Sequence, residues 1–372
     1  MFVHALGLTN FRNYKQSRME LTDGINLLIG ANAQGKTNIL ESVRYLSLGR
    51  SHRTRSDDEL IAWQEPAAKL MAEFSRQNVE HILTITLEAK KRPQLNLNNH
   101  SIKHSELISN LNTVLFAPED LLLIKGAPVL RRRFLDSEIS QSSPAYYREL
   151  LRYNHLLNQR NTLLKNIRDR RADGTMLDMW EGQLAQSAAV IWHKRLEATR
   201  KLALIANKMQ TYIAGDAEQL QVTYNITGSS GSLPEDAVLW FTDELARNRE
   251  KDIRLGHTGL GPHHDDLNFS LNGVNLRSFG SQGQQRTGIL ALKLAELKFL
   301  KDETGEYPVL LLDDVMSELD KHRREKLLAF IRQETIQTLI TATEEAYFPP
   351  VHDMALFDVS SGMVKRRDGN RE

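Results

Sequence analysis

The sequence predicts an α/β protein whose α/β domain is split by a helical insertion. Three observations support this prediction. Strand-like and turn-like segments alternate near both ends of the chain, and no proline lies between Pro144 and Pro234, where apolar residues recur at helical spacing. A glycine-rich loop also joins an early strand to a helix. We therefore expect lobe I to comprise residues 1–121 and 219–372, and a helical lobe II to comprise residues 122–218.

The individual elements follow from the periodicity of apolar residues. Two long helices are predicted at Tyr146–Arg171 and Met176–Ile213, with a turn over Arg171–Thr175 and a stop at Gly215. At 1.5 Å per residue they would span roughly 40–60 Å and form a helical hairpin. Strands are predicted at six places: His4–Phe11, Ile25–Gly30, His81–Ala89, Leu220–Ile226, Tyr307–Asp314 and Ile336–Thr343.

Composition limits the class of protein. The 372 residues are 41% hydrophobic and 26% charged, which is typical of a globular chain. The formal charge of +1 argues against a purely electrostatic nucleic-acid binder and leaves a local basic patch open. Without cysteine there are no disulfides or thiolate metal sites. No signal peptide and no long apolar span are found, so we expect a soluble, cytoplasmic protein with no membrane contact.

The glycine-rich loop has the arrangement of a phosphate-binding loop. Gly30, Gly35, Lys36 and Thr37 fit the pattern G-x-x-x-x-G-K-[ST], after an apolar strand and before a helix. The backbone N–H groups would hold phosphates, Lys36 would reach the β- and γ-phosphates, and Thr37 would ligate Mg²⁺. The expected nucleotide-binding residues of this loop are Gly30, Ala31, Asn32, Ala33, Gln34, Gly35, Lys36, Thr37 and Asn38.

A matching acidic pair ends a later apolar strand. Val309–Leu312 is followed by Asp313 and Asp314. Asp313 is the candidate Mg²⁺ ligand, directly or through a water, and Asp314 is placed to polarise an attacking water. Loop capping is the other role that such a pair takes. The distance along the chain from Thr37 to Asp313, and the lack of an N-K-x-D pattern, exclude a compact GTPase.

Two further motifs indicate an SMC-like ATPase head of the ABC type. "GSQGQQR" (Gly280–Arg286) resembles the signature loop of ABC ATPases, and "SELD" (Ser317–Asp320) resembles their D-loop. Within this group the chain resembles the RecF family of bacterial DNA repair proteins, and the resemblance covers essentially its whole length. The segments that carry it are Asn10–Tyr14, Gly30–Asn38, Pro118–Asp136, Thr258–Leu267 and Leu310–Asp320.

The resemblance implies a two-lobed ATPase that dimerises on ATP and binds DNA. ATP and Mg²⁺ would lie between the phosphate loop of one subunit and the signature loop of the other, so that Ser281 and Gly283 touch the γ-phosphate in trans. Gln284, Arg12 and Asn13 would complete the nucleotide contacts. Hydrolysis would be weak, DNA-stimulated and used as a release switch, with Lys36 and Asp314 as its catalytic residues.

The family also implies a pathway. Its members work with RecR and RecO to load RecA recombinase at single-stranded gaps, in recombinational repair, replication restart and SOS induction. Two other functions stay open: a cytosolic ABC-type ATPase acting on a protein partner, and, ranked third, a small-molecule kinase.

Some positions differ from the patterns of related ATPases. Transporter-type and SMC heads usually carry Glu where Asp314 stands, whereas RecF-like proteins tend to have Asp. The switch histidine has no equivalent, Thr343 being the nearest position, and His264 occupies a place where the family commonly has Arg. The cluster His263–Asp266 resembles a metal site, but adjacent side chains of a strand point to opposite faces. A structural or nucleotide-coupling role is therefore preferred.

Two basic clusters are candidates for DNA contact. Arg50, Arg53 and Arg55 follow the helix of the phosphate loop, and Arg131 and Arg132 begin the helical lobe. Both clusters could hold backbone phosphates of duplex DNA or of a single-strand/double-strand gap junction without reading sequence. A solvated surface, or contacts to ATP or a second subunit, are the alternatives.

Overall fold

The computed structural model describes residues 1–229, 231–345, 348 and 354–367. The chain forms two compact units: unit 1 is Met1–Asp120 with Glu296–Glu372, and unit 2 is Leu121–Ala295. The expected return to lobe I at residue 219 is not what the structure has, because residues 219–295 lie in unit 2.

The elements of unit 1 fall before and after unit 2 in the chain. The elements that precede unit 2 are β1 (Phe2–Phe11), β2 (Tyr14–Glu20), β3 (Ile25–Ile29), α1 (Lys36–Leu48), β4 (Ala67–Arg76), β5 (Val79–Glu88), β6 (Gln94–Leu97), β7 (His100–Ser101), α2 (His104–Leu107) and β8 (Thr113–Phe116). Short 3₁₀ turns lie at Asp57–Leu60 and Pro118–Leu121.

The remaining elements complete both units. In unit 2 they are α3 (Leu122–Lys125), α4 (Pro128–Ser142), α5 (Pro144–Arg168), α6 (Leu177–Ala214), β9 (Leu220–Asn225), α7 (Ala237–Leu255), β10 (Asp266–Leu271), β11 (Val274–Asn275), α8 (Leu276–Phe279) and the start of α9 (Gln282–Thr304). In unit 1 they are β12 (Val309–Asp313), α10 (Val315–Glu318), α11 (Lys321–Gln333), β13 (Thr338–Ala342), β14 (Met354–Ser360) and β15 (Met363–Arg366).

A mostly parallel sheet positions the site in unit 1. Its order is β15-β14-β3-β13-β12-β8, and only the β14–β15 pair is antiparallel. Every residue of β3 and β13 is buried, as expected for parallel strands covered on both faces. Thr341 of β13 is in register with Leu28 on one side and with Asp313 on the other. The carboxyl ends of these three strands therefore meet at one edge of the sheet.

A second sheet of unit 1 is antiparallel, in the order β2-β1-β4-β5-β6-β7. Buried residues alternate along β4 and β5, which is typical of a sheet with one covered face. Its inward side chains join those of α1 and of the parallel sheet in one hydrophobic core, which includes Leu70, Ile85, Val43, Leu28 and Leu311. This core fixes α1 and β3, and so the loop between them.

Unit 2 combines the helices with a small sheet of its own. The helices α5 and α6 pack against each other, close to the predicted bounds. Strand β9, which we expected to rejoin lobe I, pairs with β10, and β10 pairs with β11. The buried face of β9 packs on α6. Because this face is covered by helices of unit 2, residues 219–295 stay with that unit.

Three buried arginines hold unit 2 together internally. Arg131 forms a bidentate pair with Asp266, at 2.7 and 2.8 Å. Arg195 is paired in the same way with Asp136, and Arg160 contacts Glu181 and Asp252. Taking one partner away from such a pair leaves an uncompensated buried charge, which costs about 3–5 kcal/mol.

Candidate nucleotide-binding site

The loop between β3 and α1 surrounds the side chain of Lys36. The Lys36 ammonium donates hydrogen bonds to the carbonyl oxygens of Gly30 and Ala31, at 2.5 and 2.8 Å. Burial lowers the pKa of this amine, and the carboxylates of Asp314 and Asp313 act against that shift. The loop therefore holds a cation against its own backbone, at the N-terminus of a 13-residue helix. Such a terminus favours anions.

Close contacts with neighbouring atoms explain why glycine occupies both ends of the loop. A Cβ at Gly30 would lie 2.2 Å from the carbonyl oxygen of Val359. Gly35 has φ 114°, and a Cβ there would lie 2.6 Å from the Asn13 amide nitrogen. Neither position accepts a larger side chain without displacing neighbouring atoms.

The loop is also clamped by the chain around it. Asn13 donates to the Gln34 carbonyl oxygen at 3.0 Å, and the Tyr14 hydroxyl donates to the Gly35 carbonyl oxygen at 3.0 Å. On the other side, the backbone N–H groups of Ser361 and Gly362 donate to the side chain and the carbonyl oxygen of Gln34. The expected residues Arg12, Asn13 and Gly30–Asn38 thus lie in one part of unit 1.

The acidic strand end faces the start of α1. The Thr37 hydroxyl donates to Asp313 Oδ1 at 3.0 Å, and the Thr341 hydroxyl donates to the same oxygen at 2.7 Å. Burial raises the pKa of Asp313, and these two hydrogen bonds act against the rise. The Thr37 hydroxyl and the Asp313 carboxylate thus place two oxygens side by side, and oxygens of this hard type are the ligands that Mg²⁺ prefers. Thr37 and Asp313 therefore fit a magnesium ion.

Asp314 adopts a strained backbone conformation beside this pair. Its φ is 52°, in the left-handed region, and its N–H donates to the Thr341 hydroxyl at 2.9 Å. Its side chain is exposed, whereas that of Asp313 is half-buried. Strain of this kind is typical of functional positions. The threonine that organises the acidic pair is Thr341, two residues before the Thr343 position considered from the sequence.

A buried carboxylate that the sequence did not single out lies behind the loop. Glu41 is fully buried and accepts two hydrogen bonds from Arg12, at 2.8 and 3.0 Å. It also accepts one from Ser51 at 2.5 Å and lies 3.4 Å from Arg53. A glutamate one turn into a helix is usually solvated, so its spacing to Arg12 carried no signal in the sequence.

The serine of the signature-like loop caps a helix in unit 2. The Ser281 hydroxyl oxygen accepts from the Gln284 N–H, and the Gln284 side chain accepts from the Ser281 N–H, which is a capping box at the start of α9. Ser281 and Gly283 are exposed. Gln284 is half-buried and also donates to Glu218. Ser281 and Gly283 thus lie at the exposed N-terminus of α9, with Gln284 half-buried beside them.

The two basic clusters differ in their surroundings. Arg50 and Arg55 are exposed, and Arg53 is 44% exposed while donating to Asn38 at 2.7 Å. Arg131, in contrast, is 2% exposed, because its guanidinium is taken up by Asp266 and by two carbonyl oxygens. The prediction of a DNA contact at Arg131 is therefore corrected.

Arg132, the second member of that cluster, is half-buried and donates to the Asp265 carbonyl oxygen at 2.7 Å. Burial lowers its pKa. Its guanidinium is thus partly committed to the interior of unit 2 and keeps only a limited solvent-facing surface for the predicted DNA contact.

Of the segment His263–Asp266, the first three residues lie in a turn and the connection that follows it, and Asp266 begins β10. The rings of His263 and His264 lie 4.3 Å apart, and each has a ring nitrogen near the Thr258 carbonyl oxygen. Asp265 accepts from Trp192 and Tyr224, at 2.6 and 2.7 Å. Within the described part of the chain no group of His, Asp and Glu is arranged to hold a metal. These contacts tie the segment to the interior of unit 2, and a structural or nucleotide-coupling role stays a prediction.

The fold and the site together define an ATPase head of the SMC type: a parallel sheet whose phosphate loop and acidic strand end meet at one edge. A family model described as "RecF/RecN/SMC N terminal domain" matches residues 2–367. Solved SMC heads share the fold at 14–16% identity, one with a TM-score of 0.57 over 98% of this chain and 96% of that chain.

Proteins named DNA replication and repair protein RecF are much more similar. The one from Clostridium tetani is 43% identical over 370 residues, which cover 97% of this chain and 99% of that protein. The one from Streptococcus suis is 43% identical over 98% and 99%. A solved structure of the recombination mediator RecF with ATP superimposes with a TM-score of 0.91, at 34% identity, over 99% and 98% of the two chains. The chain belongs to the RecF family.

No helix in the described residues has the length and apolar character needed to cross a membrane.

Proposed function

We propose that this chain is an ATP-dependent DNA-binding protein of recombinational repair and replication restart, which dimerises when ATP fills its phosphate loop. The observation that carries the proposal is the hydrogen bond of 3.0 Å between Thr37 and Asp313, because it joins the phosphate loop to the acidic strand end. A similar RecF has been solved with ATP, which supports the choice of nucleotide.

Different residues of unit 1 bind the phosphates and the magnesium ion in this proposal. Lys36 exchanges its two carbonyl partners for phosphate oxygens, and the N–H groups at the start of α1 hold the same anion. Thr37 and Asp313 hold Mg²⁺, which supplies charge neutralisation on the phosphates when bound. Asp314, exposed and one methylene shorter than glutamate, polarises the attacking water weakly. Slow, DNA-stimulated hydrolysis then acts as a release switch.

The second half of the site comes from another copy in this proposal. The capped N-terminus of α9, with Ser281 and Gly283, contacts the γ-phosphate held by the partner's phosphate loop. Duplex DNA and gap junctions are bound through backbone phosphates, with Arg50, Arg53, Arg55 and Arg132 as candidate contacts. Membership of the family supports RecR and RecO as partners, in loading RecA at gaps and in SOS induction.

Equilibrium binding tests the proposal. A fluorescent ATP analogue with Mg²⁺ should bind the wild type and fail to bind Lys36→Met, while Lys69→Met, at an exposed lysine of β4, should bind as the wild type does. Affinity for a gapped duplex should rise about 5–150-fold with Mg·ATP, the range of typical allosteric coupling. Unchanged nucleotide binding by Lys36→Met would refute the site. ATP binding without any effect on DNA would instead favour an ATPase that acts on a protein partner.

A further inference from the structure

A relay of side-chain amides runs from the phosphate loop to the basic segment Gly49–Ser56, here called the arginine loop. Asn13 donates to the Gln34 carbonyl oxygen at 3.0 Å and accepts from Asn38 at 2.8 Å. Asn38 in turn accepts from Arg53 at 2.7 Å. Three hydrogen bonds therefore connect a residue of the phosphate loop to an arginine whose side chain is 44% exposed.

Glu41 makes a second connection, parallel to the first. Through Arg12 it reaches the turn that carries Asn13, and through Ser51 it reaches the backbone of the arginine loop. The Ser51 hydroxyl donates to Glu41 and accepts from the N–H groups of Arg53 and Thr54, at 2.9 and 3.1 Å. One buried carboxylate thus orders both the loop beside the nucleotide and the conformation of the arginine loop.

The charges around Glu41 do not balance. One carboxylate serves the two guanidinium groups of Arg12 and Arg53, which are 20% and 44% exposed. Burial opposes the ionisation of Glu41, but the hydrogen bonds of Arg12 and Ser51 and the charges of both arginines outweigh it and lower the pKa. Arg12 also donates to the Glu59 carbonyl oxygen at 3.0 Å, which supplies no full charge. Glu41, Arg12 and Arg53 taken together therefore carry a net charge of +1 beside a loop suited to phosphates, and Asp313 is a further carboxylate that interacts with the charge of Arg53.

We propose that Glu41 is a positioning residue that couples the nucleotide site to the arginine loop. An anion in the phosphate loop supplies the missing negative charge and attracts Arg12. Glu41 then keeps only its contacts to Arg53 and Ser51. The arginine loop is therefore ordered differently with and without nucleotide. Coupling of this kind is reciprocal, so whatever the arginine loop binds must tighten or weaken nucleotide binding by the same factor. This inference rests on nucleotide binding at Lys36.

Hydrogen exchange of a peptide covering residues 49–56, with and without Mg·ATP, tests the coupling. In the wild type, Mg·ATP should change the exchange rate of this segment several-fold. Glu41→Gln keeps the size and an accepting oxygen but loses the charge, so this difference should shrink to less than twofold, with ATP still bound. The matched control is Glu59→Gln: its side chain is exposed, and the bond from Arg12 goes to its backbone, so it should behave as the wild type does.

Ser51→Ala provides a second variant if Glu41→Gln does not fold. It removes the hydroxyl that joins Glu41 to the arginine loop without touching Arg12, and should abolish the ATP-linked change while ATP affinity stays within about twofold. Either variant, folded and binding ATP, with a wild-type response in residues 49–56 would overturn the proposal. A wild type that binds no ATP would overturn the proposed function, and a wild type that binds ATP without any change in residues 49–56 would overturn the coupling alone.

Discussion

At Asp313, stability and function oppose each other. Burial raises the pKa of this carboxyl above its ordinary value of 3.8. The ionised form is therefore disfavoured in the folded protein, and the protonated form is favoured. The stability that the protonated carboxyl contributes is fully present below pH 3.8 and is lost as the pH rises through the folded-state pKa. The ionised Asp313 therefore lowers stability, and we expect its role to lie in the Mg²⁺ ion that it binds.

Asp313→Asn should make the ligand-free protein more stable, and the gain should grow as the pH rises from 3.8. Urea unfolding at several pH values measures it, with Asp314→Asn as the control at an exposed neighbouring carboxylate. The same variant should lose the stabilisation that Mg·ATP gives the wild type. A variant less stable than the wild type at neutral pH would contradict the argument.

Arg131 is an internal residue whose replacement should act through stability. Arg131→Met leaves Asp266 without its bidentate partner, and we expect the free energy of unfolding to fall by about 3 kcal/mol. Arg133→Met, at the exposed neighbour, should stay within about 0.5 kcal/mol of the wild type. Denaturant unfolding distinguishes the two. If Arg131→Met kept the stability of the wild type but lost DNA binding, Arg131 would again be a candidate for DNA contact.

Among the elements, the turn between β14 and β15 supports the phosphate loop. Gly362 has φ 75°, and a Cβ there would lie 2.2 Å from the Asn13 carbonyl oxygen. Gly362→Ala should lower the free energy of unfolding by about 1–3 kcal/mol and weaken nucleotide binding, because Asn13 and Gln34 must move.

The variant Gly305→Ala separates the effect of backbone strain from the effect of displacing neighbouring atoms. Gly305 also has a positive φ, 85°, but a Cβ there would meet nothing within 4 Å. Its replacement should cost roughly 1 kcal/mol and leave nucleotide affinity unchanged. Equal nucleotide affinities for the Gly305→Ala and Gly362→Ala variants would show that the turn does not support the loop.

The elements also show what a sequence can predict. The run from Ile25 to Thr37 is local, so its strand, glycines and helix were all recognisable, as was the strand that ends in Asp313. Arg131 was misjudged because its partner Asp266 lies 135 residues away, and a run of arginines carries no sign of burial. Glu41 was missed for a related reason: its partners come from a turn before α1 and a loop after it. The strand β9 was recognised, but its pairing partner was not.

For the whole molecule, the proposed composite site makes a strict prediction about mixtures. Ser281→Arg fills the exposed cap of α9, and Lys36→Met disables the phosphate loop, so each variant alone should stay monomeric with Mg·ATP. Mixed together they leave one intact site, formed by the phosphate loop of the first and the signature loop of the second. Light scattering should therefore show dimers only in the mixture. Dimers of Ser281→Arg alone would refute the shared site.

The order of strands in the parallel sheet has a consequence for synthesis on the ribosome. Both neighbours of β3, the strands β13 and β14, begin at Thr338 or later in the chain. At about 5–20 residues per second, β3 waits roughly 15–60 s after it emerges before either neighbour exists. Residues 121–295 are contiguous and can fold during that interval. The nascent chain thus carries a complete phosphate-loop sequence long before it has a nucleotide site, and its unpaired strand edges need protection until β13 and β14 have been synthesised.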